Sequence, residues 1–137
     1  MLTSPRIPEE YIHYIWQYGI YNSIGLMTIG GEAIEVIEAG RLNTDAGPDF
    51  SNARLKIGDQ EWAGNVEIHY CSSDWDSHGH QHDQTYDPVI LHVVIHHDRD
   101  VLNSRGATLP TLCLTPHLSL HHFKGYDEFI RSKAWIP

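Results

Sequence analysis

Only two of the 137 residues are cysteine, Cys71 and Cys113, and no Cys-x-x-Cys pair occurs. A disulfide framework is therefore not what holds this chain, and a structural zinc site of ribbon or finger type is not expected. Both thiols fall in strand-like or apolar runs, so both are expected as buried free thiols. Basic residues are also scarce: nine Lys and Arg stand against eighteen Asp and Glu, a formal net charge of −9. That argues against a broad phosphate-gripping surface, because nonspecific nucleic-acid affinity comes mostly from Lys and Arg. It leaves room for a metal-dependent enzyme acting on phosphodiesters, since a bound cation offsets local negative charge. Long apolar runs are missing as well. Stretches such as Val89 to Ile95 fall far short of a bilayer span, and residues 1–6 lack the apolar core of a signal peptide. A cytoplasmic protein with no membrane partner is expected. No repeat, linker or low-complexity segment interrupts the chain. Its 41% hydrophobic content is that of one globular domain over residues 1–137.

What is present is uneven. Seven of the eleven histidines lie between Gly47 and Asp98, together with a large share of the carboxylates. Asp, Glu and neutral His hold divalent metals and move protons near neutral pH, so function is sought there.

The pattern outside that stretch predicts its frame. Residues 8–18 read as a short helix, with Pro8 at the first helical position, Glu9 and Glu10 at the positive end of the dipole, and Gly19 as the stop. Tyr11, Ile12, Ile15 and Trp16 form its apolar face, and His13 and Trp16 are read as core. Glu32 to Glu38 alternates as a half-exposed strand, and residues 40–48 read as loop. Phe50 to Ile57 and Glu61 to Tyr70 form a hairpin around Gly58-Asp59. In the returning strand Trp62, Gly64, Val66, Ile68 and Tyr70 point one way, and Ala63, Asn65, Glu67 and His69 the other. Residues 71–88 show no sustained period. Val89 to Ile95 reads as a central strand buried on both faces, and Thr108 to Leu114, with Pro110 near its start, as an edge strand. The tail from Leu118 to Trp135 reads as partly helical, with Phe123, Tyr126, Phe129 and Ile130 as its stripe. The class expected is α/β (α+β): a central mixed four- to five-stranded sheet with an N-terminal and a C-terminal helix.

The chemistry follows from the hairpin. Asp49 precedes one strand while Glu67 and His69 share a face of its partner, and counting from the turn sets Asp49 near residues 68–70. Two carboxylates at one sheet end repel unless a cation or proton sits between them. Mg²⁺ or Mn²⁺ would suit two carboxylates, a main-chain carbonyl and waters, and adding His69 tilts preference towards Mn²⁺ or Zn²⁺. The plain alternative is that Asp49 caps a turn and Glu67 pairs with Arg41, Arg54 or Lys56. In the loop, His78, His80 and His82 alternate, so an extended backbone would point all three to one side, with Asp76 and Asp83 nearby. They form a second candidate metal group. His92 is read as a satisfied core histidine, or else as a residue orienting a neighbouring carboxylate. Ser72, Ser73 and Asp74 offer triad components, but no Gly-x-Ser-x-Gly elbow is present.

The motifs Asp45-Ala46-Gly47-Pro48-Asp49-Phe50, Gly64-Asn65-Val66-Glu67-Ile68-His69, Ser72-Ser73-Asp74-Trp75 with His78-Gly79-His80, and Val89-Ile90-Leu91-His92-Val93-Val94 resemble DUF2851, a bacterial family of unknown function. The resemblance runs from Glu10 to Pro137. It implies the N-terminal domain of a longer architecture, whose further C-terminal region would complete any site. A second resemblance is to the PD-(D/E)XK nucleases, built as a helix, three strands, a helix and a fourth strand. It implies a restriction-endonuclease-like fold in which Asp49 and Glu67 hold Mg²⁺ with the Ile68 carbonyl, with Glu9 or Glu10 as an extra ligand, and water attacks a phosphodiester. His69 stands where that pattern has lysine.

The leading expectation is a divalent-metal-dependent, nuclease-like hydrolase. Asp49, Glu67 and His69 would be catalytic and metal-binding, and His78, His80 and Asp83 further ligands. Mg²⁺ or Mn²⁺ is preferred to Zn²⁺, and nucleic acid is the candidate partner. The alternative is a noncatalytic ligand- or protein-binding domain with structural histidines. Basic residues around the carboxylates would favour the first reading, an acidic or apolar surround the second.

Overall fold

A computed structural model describes residues 7–119. Helix α1 (Glu9–Tyr18) is followed by strands β1 (Ile34–Glu38), β2 (Arg41–Leu42), β3 (Phe50–Ile57) and β4 (Gln60–Cys71). A short helix α2 (Asp74–Ser77), strand β5 (Val89–His96) and strand β6 (Thr111–Cys113) complete the order. The strands form one mixed sheet in the order β1-β3-β4-β5-β6, with β2 also paired to β3. Pairing is antiparallel from β1 to β4 and parallel from β4 to β6. The expected mixed α/β class is what the chain adopts. The expected C-terminal helix lies outside the described residues.

Local chemistry explains the elements and a few displaced boundaries. Pro8 sits one residue before α1, where its fixed extended conformation forms the cap. Gly19 ends the helix in the left-handed region at φ 64°, and its N–H bonds back to Trp16 O. Residues 40–48 are not all loop, since Arg41 and Leu42 pair with Ser51 and Phe50. Strand β6 is shorter than Thr108–Leu114 because Pro110 has no N–H to donate. It does lie at the sheet edge, as expected. Residues 71–88 are more ordered than their composition suggested. They hold α2 and two 3-10 turns, His80–His82 and Gln84–Tyr86.

The period-2 reading of β4 holds. Val66 and Ile68 join the main core with Tyr11, Ile12, Ile15 and Trp16 of α1, Leu55 of β3 and Leu91 and Val93 of β5. Glu67 and His69 face the other side, buried beneath the 71–88 segment. That segment carries a smaller core of Trp75, Val89, Val101 and Leu109 with Tyr86 against it. The indole N–H of Trp75 donates to Leu102 O at 2.8 Å, and the Ser73 N–H to Asp98 Oδ1 at 2.9 Å. The crossover is thereby tied to the chain after β5. Cys71 and Cys113 are half-buried rather than buried, and neither is in a disulfide.

Candidate metal centre

Strand β4 fixes Glu67 and His69 two residues apart on one face, and everything else at the site is brought to them. Asp49 lies immediately before β3. Its N–H donates to Glu67 Oε1 at 3.0 Å, and its Oδ2 accepts from the Ile68 N–H at 2.8 Å. The hairpin count set Asp49 near residues 68–70; the ladder shifts register between Phe50 and Ala53, and Asp49 meets Glu67 and Ile68. His78 and His80 come from the crossover, with Gly79 between them in the left-handed region at φ 74°. No Cβ is needed there, and the tight turn lets both imidazoles reach back to β4.

Three imidazoles converge. One ring nitrogen each of His69, His78 and His80 lies within 4.8 Å of the others. His69 Nε2 is 3.1 Å from His78 Nδ1 and 3.4 Å from Glu67 Oε2, and His80 Nε2 is 2.8 Å from the same Glu67 oxygen. In a tetrahedral shell with bonds of about 2.0–2.1 Å, ligand atoms sit roughly 3.3–3.4 Å apart. The His69–His78 and His69–Glu67 spacings are near that separation, while the full set of three imidazole nitrogens spans up to 4.8 Å and would have to draw in around an ion. Behind the cluster, His69 Nδ1 lies 2.8 Å from His92 Nε2, and His80 stacks on Tyr86 with ring centroids 3.6 Å apart.

Electrostatics make the centre short of positive charge. Burial, then the charge of Asp49, then a side-chain bond with Asp49 push the Glu67 carboxyl up to about 10. Asp49 itself is held below the usual carboxylate range: burial works to raise it, but His13 beside it and the Ile68 N–H outweigh that. Burial, followed by repulsion from neighbouring imidazoles, takes His69 down to about 2 and His80 below its ordinary value. Without a metal the site thus holds His69 and His80 as neutral imidazoles and a protonated Glu67 beside the Asp49 carboxylate. A divalent ion would replace the Glu67 proton and find His69 and His80 already neutral.

Of the residues singled out in the sequence, Asp49, Glu67, His69, His78 and His80 are brought together. Asp83 and His82 are not. Asp83 is exposed and accepts from the Thr85 N–H at 2.9 Å, capping the second 3-10 turn. His82 is exposed because residues 80–82 form a 3-10 turn, so the extended geometry that would have aligned all three imidazoles does not arise. Glu67 pairs with none of Arg41, Arg54 or Lys56; Arg54 pairs with Glu61 instead. Ser72 Oγ lies 2.7 Å from His97 Nδ1, whose Nε2 is 3.3 Å from Asp100. The set is a triad in composition only, since Ser72 is fully buried and no substrate can meet it.

Two participants are placed in the core by the sequence reading, His92 with the alternative of orienting a carboxylate. His13 Nε2 lies 3.4 Å from Asp49 Oδ2, and Glu9, pushed up by burial and then by Asp49, sits one helical turn before it. Their i, i+4 spacing on α1 was the available signal. His92 is the other, and only the β4–β5 register places it beside His69.

A mixed α/β protein with an imidazole–carboxylate centre buried between its sheet and a short crossover is the class that fold and site define. The family model described as "Protein of unknown function (DUF2851)" matches residues 9–137, and the chain belongs to that family. No curated protein and no solved structure gives a significant match.

Proposed function

We propose that this protein is a divalent-metal-dependent hydrolase whose ion is held by His69, His78 and His80 with Glu67 beside them. The observation carrying the proposal is the convergence of three imidazole nitrogens within 4.8 Å next to a buried carboxyl. Three neutral imidazoles favour Zn²⁺ or Mn²⁺ over Mg²⁺, which prefers oxygen ligands and keeps its waters. Three protein nitrogens leave a coordination position for water, whose pKa the ion would lower. Glu67 is then placed to accept that water's proton or to complete the shell. Asp49 holds Glu67 through the bond to its own N–H.

A nuclease-like class is supported by element order. A helix, an antiparallel β1-β3-β4 set, a short helical crossover and a parallel β5 follow one another, with Asp49 immediately before β3 and Glu67 on β4. Phosphodiesters are the substrate class this implies. A noncatalytic binding domain is the second reading. It is favoured by charge: Arg54, Arg99 and Arg105 are each paired with a carboxylate, and Glu9 adds negative charge near the centre.

The test is anomalous diffraction from crystals of untagged protein grown with Zn²⁺ or Mn²⁺, together with hydrolysis of bis-(p-nitrophenyl) phosphate. A peak among His69, His78 and His80, with turnover lost in His80→Ala, is the expected result. A peak without turnover would leave the binding domain. No peak would end both the metal centre and the hydrolase.

A further inference from the structure

His92 is fully buried in the middle of β5, packed at 5.3 Å between ring centroids against Trp75. Its Nε2 meets His69 Nδ1 at 2.8 Å, while its own Nδ1 is buried and has no hydrogen-bond partner among the described residues. A leucine of similar size would fill the site without stranding a polar atom, so packing does not account for an imidazole there. The bond to His69 is the one hydrogen bond the His92 side chain makes among the described residues. It is made at the nitrogen opposite the one that faces His78 and Glu67.

We infer that His92 is a positioning residue for the metal centre, accepting the Nδ1–H of His69 on Nε2 and so leaving the lone pair of His69 Nε2 aimed at the ion. This rests on the metal-centre reading above and adds a part to it. A neutral imidazole can ligate through a given nitrogen only when its proton is on the other, and a bound partner for that other N–H fixes both tautomer and ring orientation. Here the proton must be on Nδ1 of His69. Register supplies the acceptor, because Glu67 pairs with His92 across the parallel β4–β5 ladder, and His69 lies next along the same face. The unpaired side of His92 fits this role: with Nε2 accepting, its proton resides on Nδ1. No group there competes for the tautomer.

The experiment is an optical titration of untagged protein with Co²⁺, with Zn²⁺ competition, on wild type, His92→Leu and His92→Gln. Glutamine can place an acceptor oxygen near the position of Nε2, whereas leucine cannot. The expected result is a loss of about 10- to 100-fold in Co²⁺ affinity for H92L and recovery to within a few-fold of wild type for H92Q. A folded H92L with wild-type affinity would overturn the inference and leave the metal centre standing. Absence of a Co²⁺ band in the wild type would overturn the centre itself. Should H92L not fold, long-range ¹H–¹⁵N spectra of the Zn²⁺-loaded wild type decide: a proton on Nδ1 of His69 supports the inference, and one on Nε2 of His92 overturns it.

Discussion

Replacing Glu67 by glutamine is expected to stabilise the metal-free protein while weakening its hold on metal. In the folded chain the Glu67 carboxyl is buried and raised to about 10, from about 4.5 for an exposed carboxyl, by burial first and by Asp49 next. A carboxyl raised in the folded state contributes stability that is complete below pH 4.5 and is lost as pH rises towards 10, because the unfolded chain releases a proton that the folded one keeps. At about 1.36 kcal/mol per pH unit, the loss between pH 4.5 and 7 is roughly 3 kcal/mol. Glutamine keeps the shape, can still accept from the Asp49 N–H, and carries no proton to lose. The advantage of E67Q should therefore be near zero at pH 4.5 and grow with a slope of about 1.4 kcal/mol per pH unit through neutrality. Urea denaturation at pH 5, 6, 7 and 8 in EDTA reads it. A difference that does not change with pH, or an E67Q protein less stable than wild type throughout, would refute the reasoning. In saturating Zn²⁺ the order should reverse, since an ion stabilises the folded state only in proportion to how tightly it binds.

Other outcomes follow from the same geometry. His69 and His92 are lowered to about 2 and about 3, chiefly by burial, so the unfolded chain gains protons below pH 6.5 that the folded one refuses. Stability should fall as pH drops below 6.5, the two imidazoles outweighing the opposite slope of Glu67, and H92L should lessen the free-energy slope from urea denaturation by about one proton per molecule by pH 5. Gly64→Ala would set a Cβ 2.6 Å from Pro88 O and from Ile90 Cγ2, the former being the acceptor for the Asn65 N–H. It should cost about 1–3 kcal/mol by urea denaturation and weaken metal binding by disturbing the β4–β5 register. Trp75→Ala empties the centre of the smaller core and should cost about 3–5 kcal/mol, with hydrogen exchange rising first over residues 71–88.

Much of the frame was legible because it depends on short-range rules. Alternation along Glu61 to Tyr70 separates Glu67 and His69 from Val66 and Ile68 whatever the strand pairs with, since side chains alternate with period two. The Gly58-Asp59 turn sets the hairpin count that brings Asp49 to Glu67 and Ile68. What misled was the alternation of His78, His80 and His82, which aligns the three imidazoles only if the 71–88 segment is extended there. That segment is set by anchors distant in sequence, Trp75 to Leu102 O and Ser73 to Asp98, which no local pattern reports. His82 and Asp83 turned outward as a result. His13 was assigned to the core because α1 carries a good apolar stripe, yet its position beside that stripe overlooks the start of β3.

The sequence by itself determined which side chains share a face, where helix α1 stops, and that carboxylates and imidazoles crowd one end of a hairpin. These follow from backbone periodicity and from glycine and proline chemistry. Only the tertiary structure decided that His92 meets His69, that His78 and His80 join β4 while His82 does not, and that Glu67 is buried enough to keep its proton. Each of those depends on the parallel β4–β5 register and on how the crossover closes over the sheet. Both are settled by packing between residues far apart in the chain, where the energy of the whole core outweighs any local preference.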